Sequence, residues 1–106
     1  MLRLKPEVRL ARLQPQMIVA LYVVENALRQ LGEDCVVTSA NDGGHMQGSR
    51  HYSGFALDFR TKHLTDGQRA TFMRTLRDAL PDADFDAVLE HVGEDNEHLH
   101  VEYDPQ

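Results

Sequence analysis

A chain of 106 residues, 42% of them hydrophobic and 26% charged, has enough apolar content for one packed core and too much for a disordered segment. Eleven Lys and Arg stand against 17 Asp and Glu, and a net charge of −6 excludes a general nucleic-acid binder, which needs a basic face. A single cysteine excludes an intramolecular disulfide, and no apolar run approaches the ~20 residues of a membrane span.

The length predicts one domain over residues 1–106. Met1-Leu2-Arg3-Leu4-Lys5-Pro6 lacks the apolar centre of a signal peptide, so synthesis in the cytoplasm without an export signal is expected. A short helix is predicted over residues 6–13. A longer one is predicted over 16–31, where Met17, Leu21, Val24, Leu28 and Leu31 recur at steps of four and three. Pro15 suits its first turn and Gly32 its end.

"CVVTS", residues 35–39, is β-branched and short enough for a strand, with Cys35 read as a small buried hydrophobe. "ANDGGHMQGSR", residues 40–50, is polar and glycine-rich, a loop of the kind that carries function. "GFALDF" then alternates, with Phe55, Leu57 and Phe59 on one face and Ala56 and Asp58 on the other. Thr65 and Gln68 have capping-box spacing and open a second helix, whose apolar face is Phe72, Met73, Leu76 and Leu80 and which Pro81 stops.

"PDADFD" lacks the glycine and distal glutamate of a calcium loop and reads as a solvated acidic turn. "FDAVLEHV" and "EHLHVEY", joined by "GEDN", predict a hairpin. The sum is an α+β fold, N-terminal helices packed on a small, mostly antiparallel sheet.

Six histidines are many for this length, and four of them stand in suggestive places. His51 and Asp58 in a fully extended chain would lie about 23 Å apart, at ~3.3 Å per residue. They share an ion only if the chain folds back, and Gly54 is where glycine permits that. His98 and His100 are two apart, so a strand presents both on one face. Asp58, set between Leu57 and Phe59, is costly to bury without a partner, and a cation would meet that cost.

Ser49-Arg50-His51-Tyr52-Ser53-Gly54-Phe55-Ala56-Leu57-Asp58 fits S-x-H-x-x-G-x-A-x-D, and Glu97-His98-Leu99-His100 fits a following E-x-x-H. Together they resemble the zinc peptidases of the D-Ala-D-Ala carboxypeptidase and hedgehog type. That superfamily includes D,D-dipeptidases, L-alanyl-D-glutamate endopeptidases of phage lysins, and the zinc domain of hedgehog proteins. The resemblance spans roughly residues 35–103.

It implies zinc held by His51, Asp58 and His100, with a fourth position for water, as in catalytic sites. It implies Glu97 as general base, His98 as a stabiliser of the developing oxyanion, and Ser49 as a substrate contact or support for the ligands, with Arg50 beside it. The implied reaction is hydrolysis of peptidoglycan stem peptides by metal-activated water, in the periplasm or cell wall. Small size and the missing export signal resemble a phage or prophage lytic domain. A non-catalytic zinc-binding module of the same fold, used for interaction or structure, is the alternative.

Strand alternation puts Glu97 on the face opposite His100, and Glu94, with the parity of His100, is the competing base. Glu90 and His91 on the partner strand are candidate supports. The family's substrate-binding arginine has no counterpart where Asn41 and Asp42 stand, which leaves Arg50, Arg60 or His45 to substitute.

Overall fold

The structure is a computed structural model that describes residues 1–40 and 54–104. In chain order it contains β1 (Leu2–Leu4), α1 (Pro15–Gln30), β2 (Cys35–Ser39), β3 (Ala56–Arg60), α2 (Asp66–Ala79), β4 (Phe85–Glu90) and β5 (His98–Tyr103). The strands form one mixed sheet in the order β1-β2-β3-β5-β4. Among the described residues, β1 and β2 pair in parallel and the other neighbouring strands pair antiparallel. The architecture is a small α+β fold of two helices and a five-stranded mixed sheet.

Period-two alternation divides this sheet into two unlike faces. Leu57 and Phe59 of β3, Leu99 and Val101 of β5, and Val37 of β2 are fully buried and share one core with both helices. From α1 the core takes Met17, Ala20, Val24, Ala27 and Leu28; from α2 it takes Phe72, Met73 and Leu76. Leu21 and Leu31, expected on the apolar face of α1, are only partly buried, and alanines at 20 and 27 face the core instead. Periodicity among large residues alone places the stripe slightly off, because small residues admit the closest approach.

The ends of the helices follow their sequence. Pro15 opens α1, and Gly32 follows it with φ +74°. At α2 the Thr65 hydroxyl accepts from the Gln68 N–H while the Gln68 side chain accepts from the Thr65 N–H. Leu80 is extended, as the residue before proline prefers. The hairpin of β4 and β5 is present, with a longer turn than "GEDN": His91 (φ 57°) and Gly93 (φ 84°) both lie in it.

Two expectations about the N-terminus need correction. Residues 6–13 form two isolated turns, closed by Val8 N–H to Lys5 O at 3.1 Å and Leu13 N–H to Leu10 O at 3.0 Å. Glu7 has φ 75°, which a right-handed helix cannot contain, and eight residues hold too few internal bonds to offset nucleation. Leu2–Leu4, unassigned in the sequence, is strand β1.

Gly54 explains why a glycine precedes β3. Its φ is +80°, and a Cβ there would collide with the Arg12 carbonyl oxygen. The same contact brings the Gln14 N–H to the Gly54 carbonyl at 3.0 Å. The segment leading into α1 is thus stitched to the start of the strand that carries Asp58.

Candidate metal centre

The sheet face turned away from the helices is a grid set by strand register. Arg60, His98 and Glu90 form one row across β3, β5 and β4; Asp58, His100 and Val88 form the next; Ala56, Glu102 and Asp86 form the third. Side chains two apart on a strand share a face, so every member of this grid is placed by alternation alone.

Asp58 and His100 meet at its centre. Asp58 Oδ1 stands 2.8 Å from His100 Nδ1, with the two side chains 15% and 20% exposed. The other ring nitrogen, Nε2, stands 2.8 Å from Glu102 Oε1. The hydrogen bond to Asp58 is the strongest influence on the imidazole. Burial opposes it and Glu102 reinforces it, and the net effect raises the metal-free His100 pKa to about 9.

His98, one row up, has Nδ1 2.9 Å from the Asn96 carbonyl oxygen and Nε2 2.9 Å from Glu90 Oε1. A cleft of about 250 Å³ opens beside these groups, and its walls include Asp58, Thr38, Arg60, Lys62, Lys5 and His98. Arg60, a candidate substrate contact, therefore lines the same cleft as Asp58.

Glu97 lines the same cleft as Asp58, but its carboxylate is bonded to other partners than the Asp58–His100 pair. Its carboxylate, 1% exposed, accepts from the Thr61 hydroxyl at 2.6 Å, from Arg69 Nε at 3.1 Å and from the Gly93 N–H at 3.0 Å. Thr61 has the parity of Leu57 and Phe59, and Arg69 is on α2, so the carboxylate belongs to the helix side of the sheet. Burial alone would raise its pKa. The Gly93, Thr61 and Arg69 hydrogen bonds and the Arg69 charge outweigh that and hold it below its ordinary value. This is the parity conflict visible in the sequence, and β5 keeps strict alternation through His98. Glu94, the competing base, is exposed in the hairpin turn and pairs with His91 Nδ1 at 3.4 Å. Neither glutamate is hydrogen-bonded to Asp58 or His100.

His51, Ser49 and Arg50, like His45, lie outside the described residues. The donor set can still be tested for zinc on Asp58 and His100. A carboxylate oxygen and an imidazole nitrogen are ligand types that zinc takes at about 2.0–2.2 Å. Contributed by neighbouring strands and already converged, they fit two corners of such a site. The fit requires His100 to give up the Nδ1 proton that the metal-free pair shares.

Asp86, Glu102 and Asp104 also place one oxygen each within 4.8 Å of one another, but Asp86 is exposed, the other two are half-buried, and all-acidic groups of this kind are common without an ion. Cys35 is buried, and burial pushes its thiol up to about 12, which suits packing and not nucleophilic chemistry. No helix among the described residues is long and apolar enough to cross a membrane.

Two partners on the grid, Glu90 and Glu102, are hydrogen-bonded to His98 and His100. The signal for Glu102 was in the sequence: it stands two residues after His100, at the same strand parity. Compared with protein-family models, with curated proteins and with solved structures, the chain has no match.

Proposed function

We propose that the chain is a zinc-dependent peptidase with the D-Ala-D-Ala carboxypeptidase and hedgehog type of fold, acting on peptidoglycan stem peptides as phage and prophage lytic domains do. One observation carries the reading. Asp58 and His100, the described members of the ligand set implied by the two motifs, are 42 residues apart in sequence and 2.8 Å apart in space. His51 is the third ligand in this reading. Zinc bound there supplies Lewis-acid polarisation of the scissile carbonyl and a water that ionises near neutral pH.

The remaining roles fall to the chain itself. His98, one row from His100, is the oxyanion stabiliser in this reading, and its Nε2–H reaches an oxyanion only by leaving Glu90, because the Asn96 carbonyl holds Nδ1. Arg60, on the cleft wall, receives an anionic group of the peptide. Glu97 serves as general base only if its bonds to Arg69 and Thr61 open; Glu94 is the other candidate.

The test is mass spectrometry of peptidoglycan fragments released by the purified protein, with and without chelator. Loss of a terminal alanine identifies a D,D-carboxypeptidase, and cleavage after L-alanine an endopeptidase. Zinc-loaded protein that releases no chelator-sensitive product defeats the enzyme reading.

The second reading, a non-catalytic zinc module, draws on the commitment of Glu97 to Thr61, Arg69 and Gly93. It expects zinc binding without hydrolysis. The peptidase reading expects a peptidase activity that Glu97→Gln or Glu94→Gln abolishes.

A further inference from the structure

We propose that Glu102 is the positioning residue of the metal centre: its carboxylate holds the proton of His100 on Nε2 and so presents Nδ1 as the ligand atom. The inference rests on the zinc reading above and extends it to a residue outside the two motifs.

The geometry is direct. The two nitrogens of His100 are shared between two carboxylates, Asp58 on Nδ1 and Glu102 on Nε2, each at 2.8 Å. A neutral imidazole has one N–H and one lone pair, and whichever nitrogen keeps the proton decides which can bind a metal. An ionised carboxylate only accepts. Without metal the two carboxylates compete for the ring's protons; with Asp58 turned to the metal as a ligand, Glu102 is left as the acceptor that keeps the proton on Nε2 and the lone pair on Nδ1, the nitrogen already turned toward Asp58. Asp58 and Nδ1 then face one point, while Glu102 orients the ring from its other nitrogen, as an outer carboxylate orients a ligating histidine.

Strand geometry explains why this residue can do it. Glu102 follows His100 by two on β5, so both side chains rise from one face with Cα atoms about 7 Å apart. The glutamate is long enough to reach back along the strand to Nε2. Asp86, its neighbour across β4, has the same charge but its position opposes Glu102 and not His100. That neighbour separates the effect of a hydrogen bond from the effect of a nearby negative charge.

The experiment is zinc affinity measured by competition with a chromophoric chelator, on the full chain and on Glu102→Ala, Glu102→Gln and Asp86→Asn. Glu102→Ala is expected to weaken zinc about 10–100-fold. Glu102→Gln keeps an acceptor at the same length and is expected to recover most of that loss, and Asp86→Asn to stay close to wild type. A melt of each metal-free variant verifies folding; relief of repulsion among Asp86, Glu102 and Asp104 favours folded variants.

A second readout is nitrogen NMR of His100 in the zinc-loaded wild type, which is expected to carry its proton on Nε2. Unchanged affinity in Glu102→Ala, an equal loss in Asp86→Asn, or a proton on Nδ1 overturns the inference while the zinc reading stands. Wild-type protein that binds no zinc overturns both.

Discussion

Glu97 and Arg69, 28 residues apart, form an ion pair at 3.1 Å that ties the hairpin to α2, with side chains only 1% and 13% exposed. Arg69 also donates to Asp66 at 2.7 Å and to the Leu64 carbonyl at 2.9 Å, so one guanidinium joins the first turn of α2, the turn before it and the start of β5. Breaking a buried pair from one side strands the other charge. Glu97→Ala is expected to cost about 3 kcal/mol or more in urea unfolding. Thr61→Val removes one donor to the same carboxylate and should cost about 1–2 kcal/mol. Wild-type stability in Glu97→Ala would mean that this ion pair does not hold the hairpin to α2.

The same carboxylate predicts behaviour in acid. The folded pKa of Glu97 is depressed below its ordinary 4.5. Its contribution is therefore fully present above that value and is lost as pH falls through the folded pKa. Unfolding free energy should decline below pH ~4.5 in the wild type, and Glu97→Gln should flatten that decline from a lower starting stability. Parallel acid limbs in the two proteins would show that other groups govern acid unfolding.

Gly54 and Gly32 provide a matched comparison. Both have positive φ, +80° and +74°, but a Cβ at Gly54 meets the Arg12 carbonyl whereas one at Gly32 meets nothing. Gly32→Ala should cost about 1–2 kcal/mol, the ordinary penalty for that backbone region. Gly54→Ala carries the same penalty plus a collision with main chain, and its Tm is expected to fall by roughly 10 °C or more. Equal losses at the two sites would mean that the Arg12 contact is not rigid.

Where sequence and structure agree, the reason is local. The Thr65 and Gln68 cap, the alternation of "GFALDF", and "CVVTS" as a strand depend on neighbours a few residues away, and each is found where its pattern lies. β1 was not legible because three residues carry no period, and its pairing partner Cys35–Val37 is more than thirty residues on. The approach of Asp58 to His100 was legible only through two motifs taken together, since spacing along the chain says nothing of strand register. The environment of Glu97 was half legible. Parity placed it opposite His100, but Arg69 and Thr61 as its partners depend on how α2 docks, which no local pattern encodes.

Metal removal should separate the ligands from their surroundings. Asp58→Ala and His100→Ala each delete one of two converged donors, and each is expected to lose stoichiometric zinc. In the wild type, zinc at 100 times its dissociation constant adds about 2.7 kcal/mol to folding. Adding chelator should therefore lower the wild-type Tm and leave both variants where they were. His51→Ala is expected to behave like them. A chelator shift that persists in His100→Ala would place the metal elsewhere, with the Asp86, Glu102 and Asp104 cluster the next site to test.

His100 makes the metal-stripped protein sensitive to base. Its folded pKa of about 9 lies above the ordinary 6.5, because Asp58 and then Glu102 favour the charged ring against the cost of burial. A raised pKa stabilises the fold fully below pH 6.5, and that contribution is lost as pH rises through about 9. Urea unfolding of chelator-treated protein should therefore show falling stability across that window, and His100→Gln should lack the fall. Zinc must displace the same proton, so titration calorimetry at pH 7.5 in buffers of different ionisation enthalpy should report a proton released by His100. A binding enthalpy independent of buffer, in protein that holds zinc, would mean that His100 is not among the ligands.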